Sequence, residues 1–159
     1  MKGGLVKSSQ NAETMTQPIA HLANEGILII PGGKGTRKLV KDSEWIKKLK
    51  HLSLSAPNVL TICTGDALLA KIELLNDKKA TSNKRAFDWV KSVNKSVFWQ
   101  EKARWVVSGK YYTSSGVSAG IDIALGFVAD QHGRKTAEKI AFDIEYVWND
   151  DPNNDLFIS

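Results

Sequence analysis

Short apolar runs alternate with amphipathic stretches along most of the chain. The first run, residues 26–30, is rich in isoleucine and stops at Pro31-Gly32-Gly33. This predicts a strand buried on both faces, as in a parallel sheet. A helix follows, capped by Asp42 or Ser43, with apolar residues at helical spacing. Those residues are Trp45, Ile46, Leu49 and Leu52.

The same alternation continues to residue 148. Strands are predicted at residues 59–62, 79–82, 104–107 and 111–114. Helices are predicted after Cys63 and over residues 85–93, 116–131 (closed by Gly133) and 136–148. The predicted buried positions are Leu68, Leu69, Ile72 and Leu75 after Cys63, and Ala137, Ile140, Ala141, Ile144 and Val147 in the last helix. Residues 149–159 are acidic and expected at the surface. Strands that alternate with helices predict one α/β domain, residues 1–159, with a mainly parallel sheet.

Composition excludes several classes of protein. A chain of 159 residues with one cysteine has no internal disulfide framework, which favours a reducing compartment. The sequence has no apolar run of the roughly 18 residues that a membrane-spanning helix needs. It also has no apolar segment after Met1 of the kind found in secretory signals. We therefore expect a cytoplasmic protein that does not contact membranes.

The formal charge of +5 raises the question of nucleic acid as a partner. The lysines are spread along predicted helix faces, without an Arg-rich run or zinc-ligand spacing. This distribution favours solvated helix faces over a nucleic-acid-binding surface. His21, His51 and His132 fall in unrelated segments and predict no metal site.

The strongest candidate for chemistry is the only cysteine. Cys63 ends an apolar run, Thr64 and Gly65 follow at once, and a helical pattern then begins. This is the order of a nucleophile elbow, in which the reactive side chain lies on a sharp turn between strand and helix. The N-terminus of a helix stabilises a thiolate through its dipole and free N–H groups. The alternative is a small buried side chain, as most single intracellular cysteines are.

In open α/β sheets, ligands bind beyond the carboxyl ends of the strands. Three predicted strand ends fall together there, near this cysteine. Besides Cys63-Thr64, they are Gly32-Gly33 and the segment that ends at Asn83. The backbone N–H groups of Gly33 and Thr64 are expected to converge on a developing oxyanion. The alternative for the two glycines is an ordinary tight turn.

The sequence offers no evident general base beside the cysteine. The acidic residues closest to the predicted strand ends are Asp66 and, farther along, Asp122. A negative charge at Asp66 would raise the pKa of the thiol. The more conservative interpretation of Asp66 is a favourable interaction with the helix dipole, and we expect that one.

Six segments occur in an order that resembles one known superfamily. They are Pro31-Gly32-Gly33-x-Gly35-Thr36-Arg37, Ile62-Cys63-Thr64-Gly65, residues 80–90, 103–106 and 113–122, and Ile144-Glu145-Tyr146. Together they resemble the ThiJ/PfpI superfamily, which has the class I glutamine-amidotransferase-like fold. Within it they look most like the isonitrile hydratase-like proteins, a branch that is also similar to the N-terminal domain of some AraC-type regulators. The resemblance covers residues 26–146.

The resemblance implies a flavodoxin-like three-layer sandwich with Cys63 at the elbow. It places Thr64 beside the substrate and makes Gly33 and Thr64 the oxyanion donors, with Gly32 in the same turn. In the hydratases of this branch, water adds to an isonitrile carbon and gives an N-substituted formamide without a cofactor. Relatives are commonly dimers, so we expect a homodimer that acts on a small molecule.

Two features depart from the pattern of the family. Asn83 stands where many relatives have histidine, and an amide is not a general base at neutral pH. Chains of the family also begin with a strand, a helix and a second strand, which supply an acidic residue that touches the cysteine. We expect that N-terminal unit to be missing here, so that residues 26–30 form an open edge of the sheet.

Three functions are compatible with these observations. The first is a cysteine-dependent hydratase or lyase that acts on a small electrophilic carbon, an isonitrile or an α-oxoaldehyde, with Cys63 as nucleophile and Asn83 orienting substrate or water. The second is a non-catalytic stress-response or redox-sensing protein in which Cys63 is oxidised. The third is a ligand-sensing domain related to the AraC-type regulators, for which direct DNA binding is not expected.

Overall fold

A computed structural model describes residues 3–8, 10–19 and 26–158 of the chain. The strands are β1 (Gly4–Lys7), β2 (Glu13–Thr16), β3 (Ile27–Ile30), β4 (Asn58–Ile62), β5 (Lys79–Ala80), β6 (Phe98–Trp99), β7 (Trp105–Ser108) and β8 (Tyr111–Ser114). The helices are α1 (Thr36–Leu39), α2 (Ser43–Ser55), α3 (Asp66–Lys71), α4 (Phe87–Val93), α5 (Ala119–His132) and α6 (Arg134–Asp143). None of these helices combines the length and apolar character needed to span a bilayer.

The main sheet has four strands in the order β3-β4-β8-β7. The first three are parallel, and β7 joins β8 as an antiparallel hairpin. A small parallel sheet, β5-β6, and an antiparallel hairpin, β1-β2, complete the strands. The predicted mainly parallel α/β architecture is confirmed. The β1-β2 hairpin was not predicted, because its sequence is polar and weakly patterned.

The main sheet lies between two apolar layers, and β4 contributes to both. Successive side chains of a strand point to opposite faces, so Val59 packs with Leu68 and Leu69 of α3 on one side. Leu60 packs on the other side with Ile123 of α5. The four residues predicted to be buried after Cys63 are at most 2% exposed. Helix α3 ends at Lys71, so Leu68 and Leu69 lie in the helix, whereas Ile72 and Leu75 lie in the turns that follow it. The predicted cap of α2 is also present: the Asp42 carboxylate accepts a hydrogen bond from the backbone N–H of Trp45 at 3.0 Å.

Strand β3 corrects one expectation. Burial on both faces is wrong, because Ile27 is 47% exposed and Ile29 is 58% exposed, whereas Ile30 is 5% exposed. Alternate side chains of β3 face the core, and the described residues do not cover the opposite side. Within those residues β3 is also an edge strand, with β4 as its one neighbour in the sheet.

The C-terminal third differs from prediction in three places. Helix α5 begins at Ala119 rather than at residue 116, and α6 ends at Asp143 rather than at residue 148. Of the predicted buried face of the last helix, Ala137 and Ala141 are buried, but Ile140 is 36% exposed, Ile144 55% and Val147 92%. The backbone turns sharply at Glu145, where φ is 53°, so residues beyond it do not continue the helix. The expectation that the tail lies on the surface is wrong for Asp155, which is 2% exposed.

Candidate functional site

The predicted elbow is present at the end of the central strand β4. Cys63 begins a single 3-10 turn, Cys63–Gly65, which leads directly into α3. Its φ of 60° lies in the left-handed region, where a residue with a side chain is strained. Such strain persists only where the surrounding structure imposes it, which makes the turn a candidate functional feature.

Two glycines allow the neighbouring turn to approach the elbow. A Cβ at Gly32 would lie 2.7 Å from the backbone nitrogen of Thr64, and one at Gly65 would overlap the carbonyl oxygen of Ile30. Neither position has room for a side chain. The carboxyl ends of β3 and β4 therefore meet through backbone contact, which places Gly32 and Gly33 beside Cys63.

A hydroxyl network fixes this contact. The Gly33 N–H donates to Thr64 Oγ1 at 2.9 Å, and the Thr36 hydroxyl donates to the Gly33 carbonyl oxygen at 2.7 Å. The two threonine hydroxyls lie 3.2 Å apart. The Gly33 N–H is thus satisfied within the protein, while the Thr64 backbone lies close enough to Cys63 to lower the pKa of its thiol. The two N–H groups expected to bind an oxyanion, those of Gly33 and Thr64, are therefore both available only when the Gly33 N–H no longer donates to Thr64 Oγ1.

The third strand end, after β5, reaches the cysteine through Ser82 and Asn83. The Asn83 side chain lies close enough to Cys63 to lower the pKa of its thiol. The Ser82 hydroxyl donates to the Cys63 carbonyl oxygen at 2.8 Å. The structure thus brings together all five candidate residues: Gly32, Gly33, Cys63, Thr64 and Asn83. The sequence analysis assigned no role to Thr36 or Ser82. The only signal for Thr36 was its place after a predicted turn, and the only signal for Ser82 was its place at a predicted strand end.

The Cys63 thiol is held in its protonated form. Burial raises the pKa of the thiol, and the nearby Asp66 raises it further when its carboxyl is ionised. Hydrogen bonds from the Thr64 backbone, the Thr64 side chain and the Asn83 side chain lower the pKa, but the net direction is upward. The expected stabilisation of a thiolate at the start of α3 is therefore outweighed by desolvation.

Asp66 lies beneath the elbow rather than at an exposed helix end. It is 0% exposed, and the Thr61 hydroxyl donates to its Oδ1. Its Oδ2 is buried without a hydrogen-bond partner in the described part of the chain. Burial raises the pKa of this carboxyl well above its ordinary value, so the neutral form is favoured. A simple interaction of a charged Asp66 with the helix dipole does not account for this environment.

A buried charge cluster joins the remaining motif segments. Arg104 and Asp122 form an ion pair at 2.6 Å, and both side chains are buried. The Tyr146 hydroxyl donates to Asp122 Oδ1 at 3.0 Å. The buried Asp155 lies 3.9 Å from Lys84 Nζ and 3.9 Å from Arg104 Nη1. This cluster connects β7, α5 and the C-terminal segment, and its contacts explain Asp122 as a structural residue.

The described residues contain no group of three His, Cys, Asp or Glu side chains arranged to hold a metal. His51 lies in α2 and His132 ends α5, and both are exposed. His21 lies outside the described residues.

The parallel sheet between helical layers and the cysteine elbow at its carboxyl edge define a flavodoxin-like α/β protein of the nucleophile-elbow type. Residues 2–130 match the model of the DJ-1/PfpI family, and the chain belongs to that family. It is 29% identical over 120 residues to isonitrile hydratase of Pseudomonas putida, a match that covers 76% of this chain and 51% of that protein. The chain thus spans about half the length of this curated relative.

Solved structures of the family superpose well on this fold. A ThiJ/PfpI family protein from Pseudomonas syringae gives a TM-score of 0.78 at 26% identity, covering 89% of this chain and 59% of that one. Drosophila melanogaster DJ-1beta gives a TM-score of 0.72 at 18% identity, covering 92% of this chain and 80% of that one. The expected resemblance and the flavodoxin-like fold are confirmed.

Proposed function

We propose that this chain is a cysteine-dependent hydratase of the isonitrile hydratase type, with Cys63 as the nucleophile. The observation that carries the proposal is the strained elbow at Cys63, beside which the Asn83 side chain lowers the pKa of the thiol. The identity to isonitrile hydratase supports the same chemistry, over half the length of that protein. A homodimer and a cytoplasmic location belong to the same proposal; the homodimer rests on the resemblance, and the location rests on the composition of the sequence.

A protonated thiol suits the first step of isonitrile hydration. In this step the Cys63 sulfur bonds to the terminal isonitrile carbon, and the thiol proton is transferred to that same carbon. The product is a thioimidate, R–N=CH–S–Cys63, and no other reactant is required. The raised pKa of the thiol keeps on sulfur the proton that the carbon receives, and the sulfur gains nucleophilic character as that proton leaves it.

Water completes the reaction in a second step. A water molecule adds to the thioimidate carbon, and one of its protons goes to the substrate nitrogen. The carbon–sulfur bond then breaks, the remaining hydroxyl proton returns to sulfur, and an N-substituted formamide leaves. The Asn83 amide oxygen orients the water as a hydrogen-bond acceptor. The N–H of Thr64, and that of Gly33 once released, stabilise charge that develops on the oxygen.

The thiol environment also separates the alternatives. Oxidation sensors need thiolate character, and burial at Cys63 opposes it, so the redox-sensing alternative is less well supported. An α-oxoaldehyde remains the second candidate substrate, since its aldehyde carbon also accepts a cysteine nucleophile. The two substrates give different products and are distinguished by the same experiment.

The test is to incubate the purified chain with cyclohexyl isocyanide and to follow N-cyclohexylformamide by proton NMR. We expect formation of the formamide by the wild type and only the buffer rate for Cys63→Ala. Parallel samples receive methylglyoxal, and lactate formation without formamide would favour the second candidate. Equal formamide rates for wild type and Cys63→Ala would refute the role of the cysteine. Circular dichroism of both proteins establishes that they are folded.

A further inference from the structure

We propose that Val117 and Ile121 form an apolar rim of the Cys63 site, which binds the hydrocarbon substituent of the substrate and selects bulky isonitriles over small ones. Val117 is 83% exposed and Ile121 is 42% exposed. Val117 lies in the connection from β8 to α5, and Ile121 lies in the first turn of α5. The choice of isonitriles rests on the proposed function, whereas the rim would act on any electrophile that reaches Cys63.

Gly116 brings the connection between β8 and α5 onto the cysteine site. A Cβ at Gly116 would lie 3.6 Å from Asn83 Nδ2, which is ordinary van der Waals contact. The Asn83 side chain in turn lies close enough to Cys63 to lower the pKa of its thiol. Because Gly116 carries no side chain, the space beside Asn83 stays open. The next side chain along this segment is that of Val117.

Gly120 fixes the other end of the same segment. A Cβ there would lie 3.0 Å from Cγ2 of Ile62, the residue that precedes Cys63. The helical turn already begins at Val117, whose carbonyl oxygen accepts a hydrogen bond from the Gly120 N–H at 3.1 Å. Val117 and Ile121 are four residues apart, so they are neighbours on one face of this turn. The two exposed apolar side chains therefore flank the contact that holds α5 against the elbow.

The backbone on both sides of Val117 is held by the buried Arg104. The Ser115 N–H donates to the Arg104 carbonyl oxygen at 2.9 Å, and the Arg104 guanidinium donates to the Ser118 hydroxyl at 3.3 Å. Valine is also stiff at χ1, because it is branched at Cβ. An apolar side chain that is already fixed loses little conformational freedom when a ligand covers it. The rim is therefore preorganised for binding.

The opposite side of the elbow differs in charge. The turn that follows Gly33 carries Lys34 and Arg37, and both are exposed. A hydrocarbon group that covers charged side chains removes water from them, which is unfavourable. The same group placed over Val117 and Ile121 buries apolar surface instead. The hydrocarbon substituent is thus directed toward α5 while its reacting carbon faces the thiol.

The test compares cyclohexyl isocyanide with methyl isocyanide in Val117→Thr, which keeps the branched shape and replaces a methyl group by a hydroxyl. We expect the ratio of kcat/KM, cyclohexyl over methyl, to fall roughly fourfold, the effect of one buried CH₂ group. Val107→Thr is the matched control, a 44% exposed valine in β7, two strands from β4, and should keep the wild-type ratio. An unchanged ratio in Val117→Thr, or an equal fall in Val107→Thr, would overturn the proposal.

Alkylation of Cys63 separates this proposal from the hydratase proposal, because it needs no turnover. Rates with N-cyclohexylmaleimide and N-methylmaleimide are followed by intact mass, and the chain has one cysteine. We expect the cyclohexyl-over-methyl ratio to fall in Val117→Thr and to stay unchanged in Val107→Thr. If the wild type does not hydrate isocyanides, a fall in this ratio supports the rim although the proposed function fails. An unchanged maleimide ratio in Val117→Thr would overturn the rim whatever the hydratase activity.

Discussion

The Ser82 hydroxyl donates a hydrogen bond to the carbonyl oxygen of Cys63 at 2.8 Å. This contact ties the end of β5 to the elbow at the end of β4, and Ser82 is 0% exposed. It helps to hold Cys63 in its left-handed conformation and keeps the adjacent Asn83 beside the thiol. The position of the proposed nucleophile therefore depends on a residue from a different strand end.

Ser82→Ala tests this dependence. Loss of the hydrogen bond leaves a buried carbonyl oxygen without this donor, so we expect a decrease of about 1–2 kcal/mol in the free energy of unfolding, measured in urea. Slower Cys63 alkylation should accompany it. The control is Ser108→Ala, whose hydroxyl donates to the Lys79 carbonyl at 2.9 Å in an exposed setting and should cost less. An equal cost for both variants would contradict a special role for Ser82.

The pH dependence of Cys63 alkylation tests the thiol environment. Since burial raises its pKa, alkylation followed by intact mass should give an apparent pKa above the ordinary value of about 8.5. Asn83→Ala should raise the apparent pKa further, because the Asn83 hydrogen bond lowers it. Asn154→Ala, on the exposed C-terminal segment, should leave the profile unchanged. An apparent pKa below the ordinary value would contradict the proposed protonated thiol.

Asp66 should make the stability of the fold depend on pH. Its pKa is raised in the folded state, so the contribution of Asp66 to the free energy of unfolding is largest below the ordinary carboxyl pKa of about 3.9. It then falls as the pH rises toward the folded-state pKa. Asp66→Asn should remove this part of the pH dependence and stabilise the protein at neutral pH. Asp88→Asn, a fully exposed control, should retain the wild-type slope.

Gly32→Ala tests the close approach of the two turns. The added Cβ would lie 2.7 Å from the Thr64 nitrogen, and we expect a cost of about 1–3 kcal/mol together with loss of isocyanide turnover. Gly35→Ala is the control, three residues farther along the same turn: a Cβ there meets nothing within 4 Å, and the variant should behave as the wild type. Wild-type turnover by folded Gly32→Ala would show that the contact is unnecessary.

Asp155→Ala tests the buried anchor of the C-terminal segment. Removal of this carboxylate leaves the buried Lys84 without its ion-pair partner and removes one ionic contact of Arg104. We therefore expect a decrease of about 3 kcal/mol in the free energy of unfolding, measured in urea. Asp151→Ala, an exposed neighbour, should cost less than about 0.5 kcal/mol. A similar small cost for Asp155→Ala would show that the tail is not anchored there.

Most of the main sheet and the elbow follow from local pattern. The apolar runs in β3 and β4, the punctuating glycines and the helical spacing after Cys63 are all short-range signals, and each element appears at or near its predicted position. The meeting of the strand ends then follows from the parallel arrangement, because parallel strands bring their carboxyl ends to one edge.

The rest depends on long-range contacts that pattern does not encode. Ile27 and Ile29 are exposed because the described residues leave one side of β3 uncovered. The sequence of β3 does not reveal which side is covered. The pairing of Asp155 with Lys84 joins residues 71 positions apart, so an acidic tail that looks solvated becomes partly buried. The thiol pKa of Cys63 is raised because the side chain is buried. Neither the adjacent residues in the sequence nor the predicted helix after Cys63 reveals how deeply the thiol is buried.

The most direct test of the central claim is a search for the covalent intermediate on Cys63. The protein is mixed with cyclohexyl isocyanide, quenched with acid after short times, and its intact mass is measured. The account predicts a transient mass increase of one isocyanide molecule on the Cys63 peptide, absent from Cys63→Ala, before formamide accumulates. Formamide production by folded protein with no such adduct at any time, or an adduct on another residue, would contradict the account.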